Sequence, residues 1–274
     1  MSERTESPPA APPQPRHLTM LRAQTATELR LTLRRGESVL VTVLFPALLL
    51  LFFSTVPLLP APAQGDPVQG VFPAVLALAV MSTAMVSLGI ATAFERQYGV
   101  LKRLGGTPLS RPALLGAKVL SVLAVEVLQL TLLTAIAVLL GWRPPPDGAP
   151  RVLLVPLALL LGTAAFGGIG LWMAGSWRAE AVLAGANGLY LVLLLLGGIL
   201  VPPEALPGPL GPLATLLPSG ALATVLRWAL TAGAPGMPEL PGIPGAGPPL
   251  LAWLVLALWA LATPLLAART FRWE

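Results

Sequence analysis

The chain has 274 residues, of which 55% are hydrophobic and only 11% charged, whereas a soluble domain of this size carries about 25% charged residues. That deficit, together with several apolar runs of about twenty residues, excludes an ordinary soluble protein and predicts an integral membrane protein. The formal charge of +5 is not a nucleic-acid signal, because most Lys and Arg flank apolar runs, where they set topology.

Residues 1–15, MSERTESPPAAPPQP, have no apolar period and no apolar core of a signal peptide, so a disordered tail is expected there. From His17 to Gly36, Leu18, Leu21, Leu29 and Leu33 alternate with Arg22, Arg30, Arg34 and Arg35. This spacing predicts a basic amphipathic helix lying on the inner membrane surface, its arginines toward anionic lipid. The plainer alternative is a solvated helix that only enforces topology. Val39–Leu59 carries no charge and is the first expected span, with Pro46 and Pro57 as possible kinks. The second follows at Val71–Phe94, where Ala79, Thr83, Ser87 and Ala91 recur every four residues and predict one small-residue stripe for close helix contact.

Residues 95–112 are the most polar stretch in the middle of the chain, with Glu95, Arg96, Lys102, Arg103 and Arg111. Tied to a span at each end, this segment stays at the membrane surface. Gly105 and Gly106 are expected to close a helix of about ten residues by supplying the left-handed conformation, and Leu101 and Leu104 to offer apolar contact to a soluble partner.

The third span is expected at 113–140, with Lys118 near its start and Glu126 and Gln129 deeper. The fourth, 152–176, contains Gly162, Gly167, Gly168 and Gly170, and the fifth, 181–201, carries Asn187 and Tyr190. Residues 202–249 are dense in Pro and Gly; their apolar runs, within 205–230, are too short to span and read as outer half-helices. The sixth span is 250–268. With the N-terminus in the cytoplasm, fourteen of the seventeen basic residues fall inside and only Arg143, Arg151 and Arg227 outside. The positive-inside rule therefore places both termini and residues 95–112 in the cytoplasm.

The string Glu95-Arg96-x-x-Gly99-x-Leu101-Lys102-x-Leu104, followed by Thr107-Pro108-Leu109-Ser110, between the second and third of six spans, resembles the ABC-2 type transporter permeases. These include the daunorubicin-resistance exporters. The similarity runs over nearly the whole chain, residues 16–274. It implies an all-α membrane fold of six transmembrane helices with an N-terminal interfacial helix, in a bacterial inner membrane. It further implies a homodimer, or a pair with a second permease, over two ABC ATPase subunits that bind the ATP and Mg. This chain has no phosphate-loop motif and no cofactor of its own is expected. On the resemblance, Glu95, Arg96, Gly99, Leu101, Lys102, Leu104, Thr107 and Pro108 belong to the coupling segment that seats on the ATPase. The resemblance implies outward transport. An apolar pathway with few charges is compatible with a hydrophobic drug or a lipid-like cargo, and equally with a polar-lined conduit, so the substrate itself does not follow.

Four polar residues inside spans are substrate-path candidates. Glu126 at mid-depth is costly unless it faces protein or water, and Gln129 lies one turn on. Asn187 and Tyr190 are likewise one turn apart. Each also reads as an interhelical hydrogen-bonding group. An intramembrane enzyme is excluded in its histidine and di-aspartyl forms, because the one histidine, His17, precedes the first span and no Asp lies in a span. With no cysteine, thiolate metal sites are excluded too. The alternative function is a secondary transporter driven by an ion gradient through Glu126.

Overall fold

The computed structural model describes residues 17–34, 36–56, 66–106, 111–145, 149–199, 203, 206–231 and 249–271. The expected tail at 1–15 lies outside them, as do Thr107 and Pro108. Every regular element among the described residues is helical.

Helix α1 (His17–Arg34) lies along the start of α6 (Arg111–Leu139) and also touches α2 (Gly36–Thr55). Arg22, Arg30 and Arg34 are exposed, as the amphipathic pattern requires, but Glu28 turns inward and is buried. The apolar part of α2, Thr42–Thr55, is a shorter helix than the full spans. Among the described residues, five helices are long and apolar enough to cross a membrane, running over 68–97, 113–139, 150–176, 179–196 and 250–270. The count reaches six if α10 (Leu210–Leu216) and α11 (Pro218–Leu230), bent by 83° at their junction, act as one span.

The 68–97 helix is interrupted. Helix α3 (Val68–Met81) passes through a π-helical segment, Ser82–Ser87, into α4 (Leu88–Gln97). Hydrogen bonds from i to i+5 insert extra residue length into the turn and rotate the rest of the helix relative to α3. The expected four-residue stripe is broken for this reason. Ala79 and Thr83 are buried, but Ser87 is exposed and Ala91 only half-buried. The close approach is made elsewhere: a Cβ on Gly170 would sit 2.5 Å from the Met85 carbonyl oxygen, and one on Gly89 3.1 Å from Gly170 Cα. Helix α8 (Val155–Ser176) thus presses backbone to backbone on the π segment. Its other side crosses α12 (Leu250–Thr270), where Thr263 donates its hydroxyl to the Ala165 carbonyl at 2.8 Å. With apolar lipid outside, such contacts rest on small residues and side-chain hydrogen bonds more than on apolar burial.

Helix α11 is buried along nearly its whole length and rests on α3, α8 and α12. Polar contacts moor it. Arg227 donates to the Gly198 carbonyl at 2.7 Å and to Ile199 at 3.3 Å, beyond the end of α9 (Ala179–Leu196). Trp142 Nε1 donates to the Leu230 carbonyl at 3.2 Å, and Thr231 to Gln69 at 3.0 Å. Arg151, in the one-turn helix α7 (Ala149–Val152), stands over the Trp228 ring.

Candidate functional site

The polar end of α4 connects to three parts of the molecule. Glu95 is half-buried, and its carboxylate lies 2.5 Å from the Lys118 ammonium. Lys118 is only 2% exposed and reaches Glu28 of α1 at 3.0 Å on its other side. Gln24 donates to the second oxygen of Glu28 at 2.9 Å. One ammonium therefore joins α1, α4 and α6. A buried charge is tolerable only when paired and hydrogen-bonded, so these three side chains depend on one another. On the far side of α4, the Arg96 guanidinium donates to the Trp177 carbonyl, and Gln97 Nε2 donates to Glu180 Oε1 at 2.9 Å. Trp177 and Arg178, both extended, form the tight turn between α8 and α9.

Beyond α4 the backbone reverses at Gly99, whose φ of 71° is left-handed and starts α5 (Val100–Gly105). This corrects the expected glycine logic. The left-handed residue opens the short helix, while Gly106 after it has φ −81°. A side chain at 99 would carry the strain that glycine avoids. The helix is six residues long, shorter than expected. Lys102 and Arg103 are exposed and Leu104 is half-buried. Leu101 is 0% exposed, so it packs within the fold and does not offer its side chain to a partner.

The four substrate-path candidates are not brought together. Glu126 is buried against α8, within hydrogen-bond reach of Thr163, whose hydroxyl also lies 2.8 Å from the Leu159 carbonyl. Glu126 Oε1 has no hydrogen-bond partner among the described residues. Gln129, also buried, turns elsewhere: its Nε2 donates to the Thr42 carbonyl at 2.8 Å and its Oε1 accepts from Thr83 at 3.1 Å. It pins α2 and the π segment to α6. Asn187 is exposed and donates to Leu183 in its own helix; Tyr190 is half-buried on the same helix.

One hydroxyl proton cannot serve two acceptors, and this makes Glu126 testable. A glutamine amide donates to Thr163 and frees its proton for Leu159. Glu126→Gln is therefore expected to unfold at or above the wild-type temperature, whereas Glu126→Ala loses about 2 kcal/mol to a cavity and a missing bond. Thermal unfolding in lipid nanodiscs reads both.

A cleft of about 490 Å³ opens between α1, α2, the π segment with α4, and α6. It runs from Thr42, Thr83 and Val125 to Glu28, Glu95, Tyr98 and Lys118. Neither Glu126 nor Gln129 lines it. In the sequence Lys118 stands near the start of a span with no partner in view. Its signal is a basic residue within an apolar run, which needs a counter-ion. Nothing local marks Glu28 as that counter-ion, nor Thr163 as the partner of Glu126.

Residues 19–230 match the family model for the ABC-2 type transporter. The chain belongs to that family. No curated protein matches it. As an ABC-2 protein it is a multi-pass membrane permease rather than a catalytic chain, and the family normally works with an ABC ATPase. In the ABC-2 permease the Glu95–Lys118–Glu28 junction lies where the polar segment leaves the second of the helices expected to span.

Proposed function

We propose that this permease is the membrane half of an ATP-driven exporter of the daunorubicin-resistance kind. Two copies, or one copy and a second permease, stand over two ATPase chains in a bacterial inner membrane, with both termini cytoplasmic. The ATPases supply ATP and Mg; this chain supplies the path for a hydrophobic drug or a lipid-like molecule. The observation that carries the reading is the wiring of α4. Glu95 ties it to α1 and α6 through Lys118, while Arg96 and Gln97 tie it to the α8–α9 turn. A push on α5 from below is thereby passed at once to helices on both sides of the bundle, which move as blocks because packed helices shift rather than deform.

The test uses the exposed side chains of α5, whose replacement leaves the junction intact. Lys102→Glu with Arg103→Glu is expected to weaken co-purification with the neighbouring ATPase more than tenfold, since like charges placed across an interface cost several kcal/mol. Wild-type assembly and ATP turnover by this variant in nanodiscs would overturn docking through α5. Glu126→Gln separates the gradient-driven alternative: ATP-driven transport survives it, whereas transport through a carboxylate proton site stops.

A further inference from the structure

The cleft beside α4 holds polar groups that the fold does not use. Thr92 is fully buried, yet its hydroxyl has no hydrogen-bond partner among the described residues. A helical threonine ordinarily bonds back to the carbonyl four residues earlier, and this one does not. It lines the cleft. One turn on, Glu95 pairs with Lys118 through Oε2, and Oε1 makes no hydrogen bond among the described residues. Residues three apart on a helix share a face, so hydroxyl and carboxylate oxygen lie on one side of α4. Beside them, Phe94 and Tyr98 stack with ring centroids 6.0 Å apart and 28° between planes. Both line the cleft, and Tyr98 is 71% exposed. Toward its other end the lining mixes Val86, Val122 and Val125 with the hydroxyl-bearing Thr42, Thr83 and Ser121.

Lys118 and Glu28 line this end too, so two carboxylates face one ammonium. The surplus negative charge, an acceptor hydroxyl and two aromatic faces complement a cation on an apolar body. Aromatic faces attract ammonium groups, a carboxylate gives the stronger charge-assisted hydrogen bond, and the volume is that of a small-molecule site. We propose that the cleft between α1, α4 and α6 binds an amphiphile whose polar end is an organic ammonium. The head meets Glu95, Thr92 and the Phe94–Tyr98 pair, and the apolar part reaches toward Val125. As a cargo site this deepens the export reading and rests on it; as a binding site it stands alone. The ammonium belongs either to a free amphiphilic amine or to a phosphatidylethanolamine headgroup.

The probe is dansylcadaverine, a fluorescent primary amine, compared with its N-acetyl derivative, an uncharged amide. Binding is measured on the permease alone in phosphatidylglycerol nanodiscs, with empty discs subtracted, so a failure of ATPase assembly leaves the readout untouched. Saturable binding is expected, weakened about tenfold by acetylation and by Glu95→Gln, about fivefold by Thr92→Val and about threefold by Tyr98→Leu. Thr92→Val removes a hydroxyl with no partner and Tyr98→Leu alters an exposed ring, so both keep the fold even if Glu95→Gln loosens it. Adding phosphatidylethanolamine to the discs distinguishes the sources: competition assigns the site to lipid amines, and undiminished binding to free amphiphiles. Equal binding of the acetylated probe, or no change with Thr92→Val and Tyr98→Leu, would overturn the proposal.

Discussion

Replacing Lys118 by methionine lowers the stability of the permease by about 3–5 kcal/mol, the usual cost of removing one partner from a buried ion pair. Methionine keeps the length and apolar stem of lysine, so the loss reports the charge and not a cavity. What remains is a pair of inward-facing carboxylates, Glu28 and Glu95, whose side chains are 9% and 14% exposed. The check is the unfolding midpoint in nanodiscs, which falls by on the order of 10 °C for a change of this size. Adding Glu28→Gln and Glu95→Gln to Lys118→Met is expected to restore most of the midpoint, because replacing a whole buried ionic group with neutral residues is often without penalty. Stability and coupling then separate. If the ionic junction passes force from α5 to α1 and α6, the triple variant folds and assembles, but its ATP turnover no longer responds to transport. Full coupling in the triple variant would reduce the junction to a staple.

Gly168→Ala is expected to destabilise by about 3 kcal/mol, at the upper end for overpacking. A Cβ at 168 would lie 2.6 Å from the Pro264 nitrogen and from the Thr263 carbonyl carbon, both backbone atoms of α12. No rotamer relieves a clash with backbone, so α8 and α12 must move apart. That separation also stretches the bond from Thr263 to Ala165. Gly188→Ala is the matched control. It lies in α9, where a Cβ meets nothing within 4 Å, and alanine there is neutral or stabilising by up to about 1 kcal/mol through helix propensity. Unfolding midpoints of the two variants in the same discs should differ in sign or by several degrees. A tolerated Gly168→Ala would mean that α12 is not held against α8.

Hydropathy and helical spacing determined that this chain is an all-α membrane protein and that its most polar internal segment comes after Phe94. These properties depend on neighbours a few positions apart, which any window of sequence contains. Residues 19–230 also carry enough of the ABC-2 pattern to be recognised as that family. Tertiary structure alone decided which groups meet. Lys118 pairs with Glu28 across ninety positions, and whether a span-embedded lysine finds its counter-ion before or after it in the chain has no local signature. The π segment turned Ser87 outward against a regular four-residue stripe, because a change of helical pitch depends on what presses on the helix. Here that is the α8 backbone at Gly170. Leu101 looked like a residue offered to a partner and is buried within the fold instead. In a short helix, the face turned inward depends on how the chain enters it, and that entry is the left-handed turn at Gly99.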